Sequence, residues 1–149
     1  MKIEDEIQQA KFRNDYQKVV VNLIYSANWL ETRQEELFSP FGITPSQYNI
    51  LRILRGQGSK SLSGADIKSK MLKRNSDISR LLDRMVKKKL VDRKQCPNDK
   101  RVTNVSITQT GLGVLKKIDS HIDQAEKQII HLTREEARQL SNLLDKVRG

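Results

Sequence analysis

One stretch limits what this chain can fold into more than any other. Lys73 to Thr108 reads K-R-N-S-D-I-S-R-L-L-D-R-M-V-K-K-K-L-V-D-R-K-Q-C-P-N-D-K-R-V-T-N-V-S-I-T. Ile78, Leu81, Leu82 and Met85 recur at i, i+3, i+4 and i+7, which on the helical period is one buried face. The opposite face carries Arg80, Arg84, Lys87 and Lys88. Asn75 is placed to cap a helix beginning there, because an amide oxygen at that position takes a backbone N–H that the first turn leaves unpaired. Beyond Leu90 the pattern changes. Val91 to Gln95 and Val102 to Ile107 are rich in Val, Ile and Thr. Between them lies the turn-forming run Cys96-Pro97-Asn98-Asp99-Lys100-Arg101, so the pair reads as a hairpin.

The charge points the same way. Residues 1–40 hold 5 basic and 7 acidic side chains, residues 41–110 hold 16 and 5, and residues 111–149 hold 7 and 6. The net charge of +10 therefore lies almost wholly in the middle of the chain. A local excess of that size attracts a polyanion, and nucleic acid is the usual one. A basic helix followed by a basic hairpin is the plan of a winged helix, in which the helix fits a major groove of double-stranded DNA and the hairpin tip reaches a neighbouring minor groove. The competing reading is a basic helical adaptor that binds protein or an acidic membrane surface through the same face. Against the membrane, the basic residues are spread over helix, hairpin and helix rather than along one amphipathic peptide.

The flanking segments supply a helical frame. From about Ile7 to Phe38 the chain has neither Pro nor Gly, and Tyr16, Leu23, Leu30 and Leu37 repeat every seven residues. One long amphipathic helix is expected there, of a length that suits packing on another chain. Ser39-Pro40-Phe41-Gly42 interrupts it. Thr44-Pro45-Ser46-Gln47 then restarts a helix, with Thr44 at the N-cap, Pro45 at the first helical position and Gln47 closing a capping box. Gly56-Gln57-Gly58 ends that helix. Ser63 caps a short one bearing Ala65, Ile67, Met71 and Leu72, and a tight connection leads to the basic helix, which makes a helix-turn-helix. A short strand at Lys60–Leu62 is placed to pair with the hairpin. After the hairpin, Leu115, Ile118, Ile122, Ala125, Ile129 and Leu132 form a heptad seam. Thr133-Arg134-Glu135-Glu136 opens a last helix with Ala137, Leu140, Leu144 and Val147 on one stripe. The fold class is mainly α, an α+β winged helix.

Other chemistries find little support. No apolar run exceeds three residues, so no membrane span is expected, and the N-terminus has no signal-like apolar run. A single cysteine, Cys96, excludes an intramolecular disulfide framework and fits a reducing, cytoplasmic location. His121 and His131, ten residues apart, do not share a helical face, so no metal site and no cofactor are expected. Neither a nucleophile motif nor a Gly-rich phosphate loop is present, and the chain is not read as an enzyme.

At this point the chain resembles the multiple-antibiotic-resistance regulator (MarR) family of winged-helix transcription factors. T-P-S-Q-Y-N-I-L-R-I-L is similar to that family's helix before the reading head, and D-I-S-R-L-L-D-R-M-V-K-K-K-L-V-D-R to its recognition helix and first wing strand. N-D-K-R-V-T-N-V-S-I-T-Q-T-G is similar to its wing, where Asp99-Lys100-Arg101 carries the Asp-x-Arg motif. The resemblance implies a single domain over residues 1–149. Within it, 1–40 and 112–149 are dimerisation helices and 41–111 the winged helix-turn-helix. It also implies a homodimer acting as a repressor, many members being released by a small aromatic or phenolic effector, by oxidants or by metals. Lys89 departs from the pattern, since the family often has Gly at the end of the recognition helix. A left-handed residue there costs Lys up to about 1 kcal/mol relative to Gly, so that end is expected to be built differently.

These lines together assign roles. Arg101 at the wing tip is expected in a narrow minor groove, where negative potential is concentrated, with Asp99 holding its guanidinium. Asn75, Ser76, Asp77, Ser79 and Arg80 lie near the start of the recognition helix, and Arg80 suits a bidentate grip on guanine. Arg84, Lys87, Lys88, Arg93 and Lys94 suit phosphate contacts. Cys96 stands among cations that would lower a thiol pKa. Family members that sense oxidants carry that cysteine near the N-terminus, so Cys96 reads as incidental. Tyr25, Trp29, Phe38, Phe41 and Tyr48 fall where the long helix approaches the next one, either as ordinary core or as the lining of an apolar effector cleft.

Overall fold

The computed structural model describes residues 1–58, 60–73, 76–95 and 103–149. Its centre is α3 (Pro45–Gly56), started by the expected capping box: Gln47 N donates to Thr44 Oγ1 at 3.3 Å, and Thr44 N donates to Gln47 Oε1 at 3.2 Å. Ile50, Leu51 and Leu54 on its inner face are fully buried. Around them pack Ile67, Leu82, Met85, Val91, Val105, Leu115 and Ile118, drawn from three further helices and two strands. Burial of one such side chain stabilises by roughly 1.5–3 kcal/mol, so this cluster is what holds the small sheet against the helices.

The short α4 (Gly64–Lys70) starts at a second capping box, Ser63 with Asp66. It leads through a turn to α5 (Ile78–Lys87), the expected recognition helix. Two antiparallel strands follow, β2 (Val91–Gln95) and β3 (Thr103–Ile107), in register Val91 with Ile107 and Gln95 with Thr103. The expected extra strand is present one to two residues further on, as β1 (Leu62–Ser63), and it pairs with β3 to give the order β1-β3-β2. Then come α6 (Gln109–Ile130) and α7 (Arg134–Arg148), the second started by the expected Thr133–Glu136 box.

Three local expectations are corrected. The long helix α2 runs from Asp15 to Phe38 and does not reach back to Ile7. Asn14 ends it, because its side chain accepts from Gln17 N at 2.9 Å while Gln17 Oε1 accepts from Arg13 N at 2.6 Å. Upstream, the chain turns through Gln8 at φ 54°, and the one-turn α1 (Ile3–Glu6) folds back on α2. Lys18 and Glu4 pair at 2.5 Å, Tyr25 donates to Glu6 at 2.5 Å, and Ile3 is buried. The absence of Pro and Gly permitted a longer helix, but a capping side chain is enough to stop one.

Secondly, α5 begins at Ile78, three residues later than Asn75, with Asp77 at the N-cap accepting from Arg80 N at 3.1 Å. Asn75 itself lies outside the described residues. Thirdly, the end of α5 is built in the ordinary left-handed way although its residue is lysine. Lys89 has φ 58°, Lys89 N donates to Val86 O at 2.9 Å, and Leu90 N donates to Met85 O at 2.9 Å. That is a Schellman motif, and its accompanying apolar contact is supplied by buried Met85 and Leu90. The two hydrogen bonds and that contact outweigh the strain of a Cβ at positive φ.

Candidate nucleic-acid interface

The exposed side of α5 carries Ser79, Arg80, Arg84, Lys87 and Lys88, while Ile78, Leu82 and Met85 anchor its other side in the core. The helix is thus held as a rigid, basic ridge. Its first turn opens into a concavity of about 270 Å³ lined by Ser46, Lys73, Ser76, Asp77, Arg80 and Arg84. Ser46, from the first turn of α3, and Lys73, from the turn before α5, are members that sequence reasoning missed. Only the packing of α3 beside α5 brings Ser46 there, a proximity with no signature along the chain, whereas Lys73 lies just ahead of α5 in sequence. A second hollow, of about 720 Å³, lies between α4, α5 and the sheet, and Ser63, Lys68, Ser79, Arg93 and Thr103 line it.

Ion pairs orient several of these cations. Arg80 Nε lies 3.2 Å from Asp77 Oδ2, so the N-cap carboxylate also steers the first arginine of the helix. Arg93 on β2 pairs with Asp83 on α5 at 2.5 Å and joins hairpin to helix. Lys88 Nζ donates to the carbonyl of Gly42 at 2.6 Å, tying the end of α5 to the turn that precedes α3. Such exposed pairs add little stability, on the order of 0–1 kcal/mol, but they fix direction. Asp99, Arg101, Lys100 and Cys96 lie outside the described residues.

The aromatic residues divide into two groups. Phe38 is buried and stacks on Tyr48 with ring centroids 4.3 Å apart, and Phe41 packs at the edge of the same core. Arg52 Nη1 donates to the Tyr48 hydroxyl at 2.9 Å. Trp29 is exposed beneath the Arg33 guanidinium, 5.7 Å from its ring centroid. Tyr25 is taken up by its bond to Glu6, which pushes the phenol pKa up. At the helical rise, Trp29 and Phe38 stand about 13 Å apart along α2. Tyr25 and Trp29 therefore do not join the Phe38, Phe41 and Tyr48 group.

A sequence profile of the MarR family matches residues 43–103, which run from just before α3 to the first residue of β3. The transcriptional regulator MhqR of Bacillus subtilis is 31% identical over 107 residues, covering 71% of this chain and 72% of MhqR. The chain belongs to the MarR family. The multiple antibiotic resistance protein MarR of Escherichia coli is 30% identical, over 84% of this chain and 88% of its own length. Among solved structures, a cysteine-to-serine mutant of E. coli MarR in complex with operator DNA superposes with a TM-score of 0.75 at 25% identity, over the whole of both chains. The chain is accordingly a DNA-binding transcription regulator of the MarR family, with that family's winged helix-turn-helix fold. The adaptor reading of the basic face is not favoured by this membership. Among the described residues no helix is long and apolar enough to cross a membrane.

Proposed function

We propose that the protein acts as a cytoplasmic homodimer that represses transcription from an inverted-repeat operator, without enzymatic activity. The observation that carries the assignment of the DNA face is the basic hollow at the start of α5. There Arg80, Arg84 and Lys73 converge on a helix end that a packed core holds still. In this proposal Ser76, Asp77, Ser79 and Arg80 meet base edges, with Asn75 beside them. Arg84, Lys88 and Arg93 meet phosphates, and Arg101, steadied by Asp99, enters the minor groove. Lys88 and Arg93 would have to exchange their present partners for phosphate oxygens.

Residues 41–111 form the reading head in this proposal, and 1–40 with 112–149 form the dimer layer. The support for a dimer is the uncovered apolar surface of the terminal segments. Tyr16, Val19, Val20 and Ile24 on α2 and Leu140, Leu143 and Val147 on α7 are exposed, and α7 buries none of its residues. An exposed apolar stripe of this kind on each of the two helices marks an interface. A small aromatic or phenolic effector would act by binding one spacing of the two reading heads better than the other. Phe38, Phe41 and Tyr48 are its proposed surroundings, and Tyr25 and Trp29, which stand apart from them on α2, are not.

Selection of bound sequences from a random DNA pool tests the proposal. The expected product is an inverted repeat whose half-sites lie about 34–36 Å apart, one helical turn, with A·T-rich flanks where the wings land. Arg80→Ala is expected to relax preference at one base position per half-site, at about 1–3 kcal/mol. Lys88→Ala should weaken all sequences alike and lower the salt slope by about one for each phosphate no longer neutralised. Specific binding unchanged in both Arg80→Ala and Arg101→Ala would remove these residues from the interface.

A further inference from the structure

The recognition helix is aimed by the turn before it, and that turn is mounted in an unusual way. Met71 is buried and holds one side of the turn in the core. The next residue, Leu72, is 88% exposed, so a large apolar side chain stands in water beside a basic surface. Hydrophobic burial therefore does not choose this orientation. What the orientation secures is a backbone hydrogen bond: Leu72 N donates to the side-chain carbonyl of Asn49, in the middle of α3, at 2.9 Å. One residue on, Lys73 Nζ meets Glu31 Oε1 at 2.5 Å and links the turn to α2. Three consecutive residues are thus tied to the core, to α3 and to α2, immediately before the segment that leads into α5.

We infer that Asn49 and Glu31 are positioning residues for DNA recognition, which set the angle at which α5 leaves the turn without touching DNA themselves. This rests on the proposed use of α5 as the reading helix. The bond at Asn49 is well placed for such a role and poorly placed for stability. The Leu72 N–H is at the surface, and water can take the place of the amide oxygen once it is gone. Its loss then costs little folding free energy and leaves the turn free to adopt more than one direction. Base contacts demand a definite angle and phosphate contacts much less so, because bidentate pairing with a base edge is directional. Misdirection therefore appears as lost discrimination between sequences. Glu31 contributes a second, weaker restraint, since its pair with Lys73 is exposed.

The test measures the ratio of affinities for the selected duplex and a scrambled one, at constant salt, together with the thermal midpoint. Asn49→Leu removes the acceptor at similar size, and its ratio should fall about three- to tenfold, a net hydrogen bond's worth of lost positioning. Asn49→Asp keeps an acceptor for Leu72 N–H. It should preserve the ratio even if the added charge weakens binding to both duplexes equally. Glu31→Gln should lower the ratio by a smaller factor. Arg80→Ala serves as control. If it and Arg101→Ala both leave the ratio unchanged, the proposed DNA face, and with it the underlying proposal, fails. If Arg80→Ala lowers the ratio while Asn49→Leu does not, or if Asn49→Leu and Asn49→Asp lose it equally, the present inference alone is overturned. Should Asn49→Leu not fold, Glu31→Gln at its exposed site carries the test, and an unchanged ratio there overturns the inference.

Discussion

Two glycines in the first turns of α6 should respond to alanine with opposite signs. A Cβ added at Gly111 would lie 2.4 Å from the carbonyl oxygen of Leu90, 2.9 Å from Ile107 Cγ1 and 3.2 Å from Leu51 Cδ2. The nearest atom is backbone, so no side-chain rotation relieves the clash. That carbonyl also accepts from Thr108 N at 3.1 Å, and it belongs to the residue that closes the end of the recognition helix. Overpacking costs about 1–3 kcal/mol, and a 2.4 Å approach to a backbone atom puts this case at about 2–3 kcal/mol. Alanine returns about 0.8–1 kcal/mol through its better helix propensity. The net is a destabilisation of about 1–2 kcal/mol. At Gly113 a Cβ meets nothing within 4 Å, so only the propensity term remains and Gly113→Ala should stabilise by about 0.8–1 kcal/mol. With a urea slope of about 2 kcal/mol per M, the midpoint should fall by about 0.5–1 M for Gly111→Ala and rise by about 0.4–0.5 M for Gly113→Ala. Protein concentration must be held fixed, because the unfolding midpoint of a dimer depends on it. Shifts of the same sign in both variants would refute the close approach of α6 to Leu90.

Lys89→Gly should raise stability by up to about 1 kcal/mol in the same urea assay, because it removes the Cβ from a left-handed residue. The carboxylates of Asp66 and Glu136 are held below the ordinary range by hydrogen bonds from Ser63 and Thr133. A lowered folded-state pKa stabilises above the unfolded value of about 4 and loses that contribution as pH falls through the lowered one. Thermal midpoints measured from neutral pH into the acid range should therefore fall less steeply for a Ser63→Ala, Thr133→Ala double variant than for the parent. Sedimentation at micromolar concentration should show a dimer, and Leu143→Glu with Val147→Glu should dissociate it; a monomer in the parent would end the dimer proposal. A panel of phenolic and aryl-carboxylate compounds should contain members that lower operator affinity, and uniform silence across it would withdraw the effector.

The local architecture was largely determined by the sequence itself. Caps, turn runs and hydrophobic period are short-range properties, so the boxes at Thr44 and Thr133, the hairpin strands and the heptad of α6 as far as Ile129 stand where the residues place them, while Leu132, the seam's last member, falls beyond the helix end at Ile130. The sheet partner of β3 was also legible, to within a residue or two. Where two local signals compete, the outcome depended on geometry that no window of sequence contains. Asn14 overrode an uninterrupted amphipathic run, Asp77 took the cap from Asn75's position, and Lys89 accepted a left-handed backbone because Met85 and Leu90 pack together. The DNA face shows the same division. Its charge and its helix were written in residues 73–94, whereas Ser46 joins them from α3, and the turn's ties to Asn49 and Glu31 unite residues 23 and 42 positions apart along the chain. Contacts of that separation arise from packing α3 and α2 against α5, and only the folded chain decides them.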